Sequence, residues 1–358
     1  VADDLSKRAR QVELKFSRRK RNNADQHVYH DLSAVAHIGD TLFLACDETA
    51  SLERLRRVSR QRFGDHLHLS LADLVELPAG AVGEMDIEGL CADEGFLWIV
   101  GSHSLKRRKP KRGENGSDEA LARMEKIKRE PNRYFLGRIP LVEEMPGLFR
   151  PCSEVGERRP AWIRFTGKTS ALMRWLASDP LLGPFLTIPA KENGFDVEGI
   201  AARGDRVWLG LRGPVLGGHA AVLELVLKEK ACGRLMARRL EGKRRYRKHL
   251  LDTAGLGIRD MRLDGDDLLL LVGPTMSLDG PAYVLRWVGA AQAEASGVVD
   301  PARIETVVEL PYELHVDHPE GLDLWSEEPR SLLVIYDAPA PERVDSQKSV
   351  VRADLLAI

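Results

Sequence analysis

Apolar residues in this chain fall in short runs bounded by turn residues. Thr41-Leu-Phe-Leu-Ala45, Phe96-Leu-Trp-Ile-Val100, Arg206-Val-Trp-Leu-Gly210, Leu268-Leu-Leu-Leu-Val272 and Ser331-Leu-Leu-Val-Ile335 each read as a buried strand. A related pattern precedes each one: Asp31-Leu-Ser33, Asp86-Ile-Glu88-Gly-Leu, Asp196-Val-Glu198-Gly-Ile, Ile258-Arg-Asp260 and His318-Pro-Glu320-Gly-Leu. A third apolar stretch follows in every copy, at 66–71, 134–140, 221–227, 283–288 and 350–356. A fourth follows in all but the last, at 74–78, 185–189, 248–252 and 307–311. The last copy runs out of chain, and the stretch 12–16 can supply its missing strand.

Short strands repeating at a fixed period are the signature of a radial repeat fold. The pattern predicts an all-β, five-bladed β-propeller of four-stranded antiparallel blades, closed by an N-terminal strand. The blades fall at about 31–78, 86–189, 196–252, 258–311 and 318–358, with 12–16 completing the last. The second spacing is roughly twice the others. It leaves room for a sixth blade, but a large insertion in the second blade fits better, because only one full set of four strands is visible there. The segment 106–131 is charged and loop-like or helical, and 170–182 has helical spacing, with Thr169 or Ser170 as its N-cap. The competing reading is a sandwich with a helical domain.

Composition narrows the function classes. Lys+Arg number 53 and Asp+Glu 54, so the chain lacks the basic excess of a dedicated nucleic-acid binder. The longest apolar run is too short to span a bilayer. Four widely spaced cysteines exclude a disulfide scaffold and a Cys-rich zinc site, and fit a cytoplasmic protein. The chain starts at Val1, which also fits an exported and processed protein.

Candidate chemistry lies in the repeated acidic pattern. Residues i and i+2 of a strand share a face, so each Asp-x-Glu points both carboxylates one way. Superposed, the copies give an upper ring of Asp31, Asp86, Asp196, Ile258 and His318, and a lower ring of Ser33, Glu88, Glu198, Asp260 and Glu320. Facing the channel, so many carboxylates must protonate, pair with Arg or bind a cation. Asp86, Glu88, Asp196, Glu198, Asp260 and Glu320 are the candidate ligands, and all-oxygen donors favour Ca²⁺, Mg²⁺ or Mn²⁺. No organic cofactor motif is present. The competing role for Glu88, Glu198 and Glu320 is a clasp on the backbone of the next blade.

The loops at the same end carry Asp47, Glu48, His103, Lys106, Arg107, Arg108, Arg212, Asp337 and Arg343. An acidic floor under a basic rim suits an anionic small molecule or a protein partner, held without catalysis. It also suits metal-assisted hydrolysis of a phosphoester or other anionic ester, with Arg212 on the substrate and His103 or His318 as general acid or base. His103 has a blander role open to it, a hydrogen bond to its own loop. Glycoside hydrolysis ranks third, since channel-side aromatics are scarce. Three basic runs, 18–21, 106–112 and 243–248, contain only Tyr246 as an aromatic and offer no platform for bases.

Several motifs together carry a family likeness: Val100-Gly-Ser-His-Ser-Leu-Lys-Arg107, Lys191-Glu-Asn-Gly-Phe-Asp-Val-Glu-Gly199, Gly210-Leu-Arg-Gly-Pro-Val215, Gly255-Leu-Gly-Ile-Arg-Asp260, Gly273-Pro-Thr-Met276 and Asp317-His-Pro-Glu-Gly321. The chain resembles the bacterial domain-of-unknown-function family 3616, across nearly its whole length. That resemblance implies a propeller-type fold and brings no assigned reaction. A looser similarity to the esterase-like phytase propellers hints at ester or phosphoester chemistry and transfers no residue role.

Overall fold

The structure is a computed structural model. It describes residues 10–18, 27–111, 113, 116–230, 233–276, 278–325 and 330–358. Within them the chain runs as a series of antiparallel meanders. The first is Leu32–Ile38, Thr41–Cys46, Ser51–Ser59 and Arg62–Ser70. The next is Ile87–Asp93, Phe96–Gly101, Leu136–Met145 and Ala161–Ile163. Asp196–Arg203, Arg206–Gly213, His219–Lys230 and Arg247–Asp252 follow. Then come Gly257–Asp264, Asp267–Gly273, Ala282–Trp287 and Ile304–Leu310. His318–Trp325, Ser331–Asp337 and Val350–Ala357 complete the series, with the N-terminal Arg10–Lys15 added antiparallel to the last.

Outer-edge pairing merges these meanders into larger sheets. Arg10–Lys15 also pairs parallel with Arg62–Ser70, which joins the first and last meanders into a nine-stranded sheet. Ala161–Ile163 pairs parallel with Arg234–Ala237, the return arm of the long His219–Lys230 strand, and this builds an eleven-stranded sheet. The Gly257–Leu310 meander stands as a separate four-stranded sheet. In the two larger sheets, outer edges are thereby paired, which protects strand edges from aggregation.

The first strand of each meander lies innermost. Ile87–Asp93 packs between Leu32–Ile38 and Asp196–Arg203, while Gly257–Asp264 packs between Asp196–Arg203 and His318–Trp325, which returns to Leu32–Ile38. The arrangement is all-β and propeller-like. The Gly of the repeated motif makes the close approach possible. A Cβ on Gly89 would sit 2.9 Å from Ile200 Cγ2, and one on Gly199 would sit 3.1 Å from the backbone of Asp260. Apolar clusters fill the gaps between neighbouring meanders, with Trp98, Trp208, Trp287 and Trp325 fully buried among them. Packing of this kind supplies most of the fold's stability.

Two outer strands differ from expectation. The third strand of the first meander is Ser51–Ser59, and the stretch 66–71 belongs largely to the fourth, Arg62–Ser70. Ser51-Leu-Glu-Arg-Leu-Arg-Arg-Val-Ser59 escapes an apolar search because its charged residues break the run. The stretch 74–78 lies in the connection that follows. In the second meander the fourth strand is the three-residue Ala161–Ile163, and Phe185 lies in a 3-10 turn, Gly183–Thr187.

The inserted segment 106–131 holds a short hairpin, Lys106–Arg107 with Ile127–Lys128, and a helix Asp118–Met124 capped by Ser117. The helix Ala171–Leu176 is capped by Ser170, whose Oγ accepts from Met173 N at 3.2 Å. Asp179 ties this region to the Arg247–Asp252 strand. It accepts Lys248 Nζ at 2.6 Å and the Tyr246 hydroxyl at 2.5 Å. Together with Arg247 bonded to Glu224, this consumes much of the basic run 243–248 in internal pairs. In the run 18–21 only Arg18 is described, and Arg112 and Cys232 likewise lie outside the described residues.

Candidate functional site

Each innermost strand carries a β-bulge at the same place. The register skips Ser33, Glu88, Glu198, Arg259 and Glu320. A bulge inserts one residue and re-aims its side chain, so simple alternation fails there. The lower ring therefore contains Arg259 in place of Asp260. Asp260 occupies the slot that Gly89, Gly199 and Gly321 hold in other copies. Its carboxylate accepts Leu322 N at 2.8 Å and Met261 N at 2.7 Å, and it is fully buried. It is a backbone clasp, away from the cavity. By the same shift Ile258 leaves the upper ring for the apolar core. Ser33 is the other clasp, its Oγ donating to Ile87 O at 2.6 Å.

At the end where the innermost strands begin, a cavity of about 1000 Å³ opens. Asp86, Glu88, Asp196, Arg212, His318 and Glu320 all line it. Asp47, at the end of the Thr41–Cys46 strand, joins them, because Asp86 N donates to Asp47 O at 3.0 Å and sets the two carboxylates side by side. Asp86 has φ of 50°, in the left-handed region that Asp tolerates better than most residues. Asp31, from the upper ring, bridges to Asp337.

Arginines thread between the carboxylates. Arg133 Nη1 lies 2.8 Å from Asp86 Oδ2, and its Nη2 bonds Glu84. Arg212 donates to Glu198 Oε1 at 2.6 Å and to Met276 O at 2.6 Å. Arg259 Nη1 bridges Glu320 at 2.7 Å and Glu198 at 3.2 Å. Glu198 and Glu320 thus have counter-charges rather than backbone clasps. Glu88 has none: it is 9% exposed, and among the described residues nothing donates to its carboxylate. Asp196 is 4% exposed and its Oδ1 also lacks a partner.

The crowding moves the acids up. Burial, then the Asp47 and Asp86 charges, lift Glu88 well above the carboxylate range. Burial, then Glu320 and Asp86, do the same to Asp47. Asp196 is raised by burial and by Glu198. Glu320 is pushed up to about 7 by burial, with Arg259 opposing. Unoffset negative charge is concentrated on this floor.

Of the expected general acids and bases, His318 lies in the cavity. Its Nε2 is 3.0 Å from Asp279 Oδ1, and Asp337 on its other side helps raise its pKa. His103 does not reach the cavity. It is fully buried, its Nδ1 bonds Gly101 O at 2.9 Å, and burial lowers its pKa to about 4, so it stays neutral. Arg343 is occupied by Asp317 and Asp354. The rim is basic on one wall. Lys106 pairs with Glu84 and Arg107 with Glu192, while among the described residues Arg108, Lys109 and Lys191 have no ion-pair partner. Asp47 as a floor residue, Glu84, Arg133, Arg259 and Asp279 were not visible as a group in the sequence. Only Arg259 carried a signal, its place inside the repeat.

A family model described as a protein of unknown function, DUF3616, matches residues 31–354. The chain belongs to this family. No curated protein matches it in sequence. Among solved structures, the chain is similar to the glutaminyl cyclase of Myxococcus xanthus, at 7% identity and TM-score 0.42, covering 98% of this chain and 97% of that one. It is also similar to Sqt1 of Saccharomyces cerevisiae, at 10% identity and TM-score 0.33, covering 92% and 96%. The WD40 β-propeller domain of Doa1 gives 10% identity and TM-score 0.33, covering 94% of each chain. No helix among the described residues is long and apolar enough to cross a membrane.

Proposed function

We propose that the chain is a five-bladed propeller whose cavity binds a small anionic ligand. The blade count is supported by the circuit of the five innermost strands, each packed on the next, and by the bulge that recurs once in each. The anion reading rests on one observation: among the described residues Arg108, Lys109 and Lys191 have no ion-pair partner on one wall, above guanidinium groups already fixed by carboxylates. A cation with no carboxylate to give up can form a charge-assisted hydrogen bond to an anion directly. Calorimetric titration with pyrophosphate tests this. Binding that weakens about tenfold in Lys109→Glu and falls steeply with salt is expected. No binding, or binding indifferent to that change, overturns it.

Metal-assisted ester hydrolysis is the second reading. It is favoured by His318, an imidazole held between two carboxylates inside the same cavity. Turnover of p-nitrophenyl phosphate with Mn²⁺, lost in His318→Asn, is the result this reading requires.

A further inference from the structure

We propose that Asp47, Asp86 and Glu88 bind one hard divalent cation at the cavity floor. One oxygen or more from each of these residues lies within 4.8 Å of one from each of the others. Oxygen ligands of Ca²⁺, Mg²⁺ or Mn²⁺ lie at about 2.0–2.6 Å, so two of them on one ion are at most about 5 Å apart. The spacing therefore matches a shared ion without backbone movement. No His or Cys belongs to the group, which selects a hard ion over zinc.

A second observation separates this group from an ordinary acidic cluster. Every other bulge residue has a protein partner: Ser33 a carbonyl, Glu198 and Glu320 arginines, Arg259 two glutamates. Glu88 is the exception among the described residues, buried to nine-tenths and aimed into the cavity with no donor. Asp196, more deeply buried, lines the same cavity and carries an unpartnered Oδ1. Arg133 engages one oxygen of Asp86, and the three carboxylates together exceed its charge. A divalent ion supplies the missing positive charge, and water can complete its shell from the open side.

The site does not depend on the anion reading. The test uses the full chain, freed of metal by chelator, with Mn²⁺ alone and no anion, read by calorimetry and electron paramagnetic resonance. One Mn²⁺ per chain is expected, displaced by Ca²⁺ or Mg²⁺. Glu88→Gln and Asp47→Asn should each weaken binding about tenfold or more, since each removes one anionic ligand. Glu192→Gln, at the rim, should bind as wild type. The Asp47 change, at a strand end, guards against misfolding of the Glu88 variant, and both are checked by melting in chelator. Absence of Mn²⁺ binding up to about 1 mM overturns the proposal. So does unchanged affinity in both folded variants. Loss of pyrophosphate binding in Lys109→Glu with Mn²⁺ affinity intact would show the two sites to be separate.

Discussion

Arg262 and Glu88 sit on innermost strands, toward opposite ends of the channel. Arg262 is 4% exposed and held by several acceptors. It donates to the carbonyls of Ile200 and Met261, at 3.1 and 2.8 Å, and to that of Val35, and its Nε lies 3.0 Å from Asp323. It ties its own innermost strand to three others. Glu88 is almost as buried, yet faces other carboxylates and, among the described residues, no donor. An isolated protein tolerates such a group only by protonating it or by supplying a counter-charge. The lower half of the channel is a structural joint, and on the cation proposal the upper half is a site that a ligand completes.

The largest test of that contrast is Arg262→Met. It strands Asp260 and Asp323 without their cation, and should cost about 3–5 kcal/mol in urea unfolding. A loss below about 1 kcal/mol would show that the lower half is no joint. Gly89→Ala probes the approach of neighbouring innermost strands. Its new Cβ would meet Val100 Cγ1 at 2.8 Å and Ile200 Cγ2 at 2.9 Å, so a loss of about 1–3 kcal/mol is expected. An unchanged denaturation midpoint would mean that the strands are free to part.

The pH dependence should be milder, and the upper half shares it with Asp260, which burial pushes up to about 7. Glu320 is held at about 7 in the fold, above its ordinary value of 4.5. A raised carboxyl contributes stability that is complete below its unfolded value and is lost as pH rises through the folded one. His318, also raised, acts in the same direction. The metal-free melting temperature should therefore fall between about pH 5 and pH 8, and Glu320→Gln should flatten part of that fall. A melting temperature that rises across this window contradicts the picture of an overcharged floor. The smallest effect is on stability at the rim: Lys109→Glu should change it by no more than about 0.5 kcal/mol. A larger loss would make the basic wall part of the scaffold.

Much of this was legible in the sequence. The acidic patterns and following apolar runs located the innermost and second strands of every meander, and the closing N-terminal strand. Placing Asp86, Glu88, Asp196, His318 and Glu320 around one end of a channel also followed from the repeat. What failed was register. In three copies a Gly after the Glu marks the bulge, since a Cβ at those positions would crowd the neighbouring strands. In Ile258-Arg-Asp260 no Gly follows, so matching acid to acid slipped the alignment by one residue and put Asp260 where Arg259 belongs. Asp47 and Arg133 were illegible as partners for a different reason. They meet Asp86 through loop conformation, a long-range outcome with no local periodicity.

The most direct measurement is the melting temperature of Glu88→Gln beside wild type, in chelator and then in Mn²⁺. The account predicts that the variant melts at or above wild type in chelator, because a repulsive carboxylate is gone. Mn²⁺ should then raise wild type and leave the variant unmoved. A variant that melts well below wild type in chelator would contradict it, since the Glu88 carboxylate would then be holding the fold together.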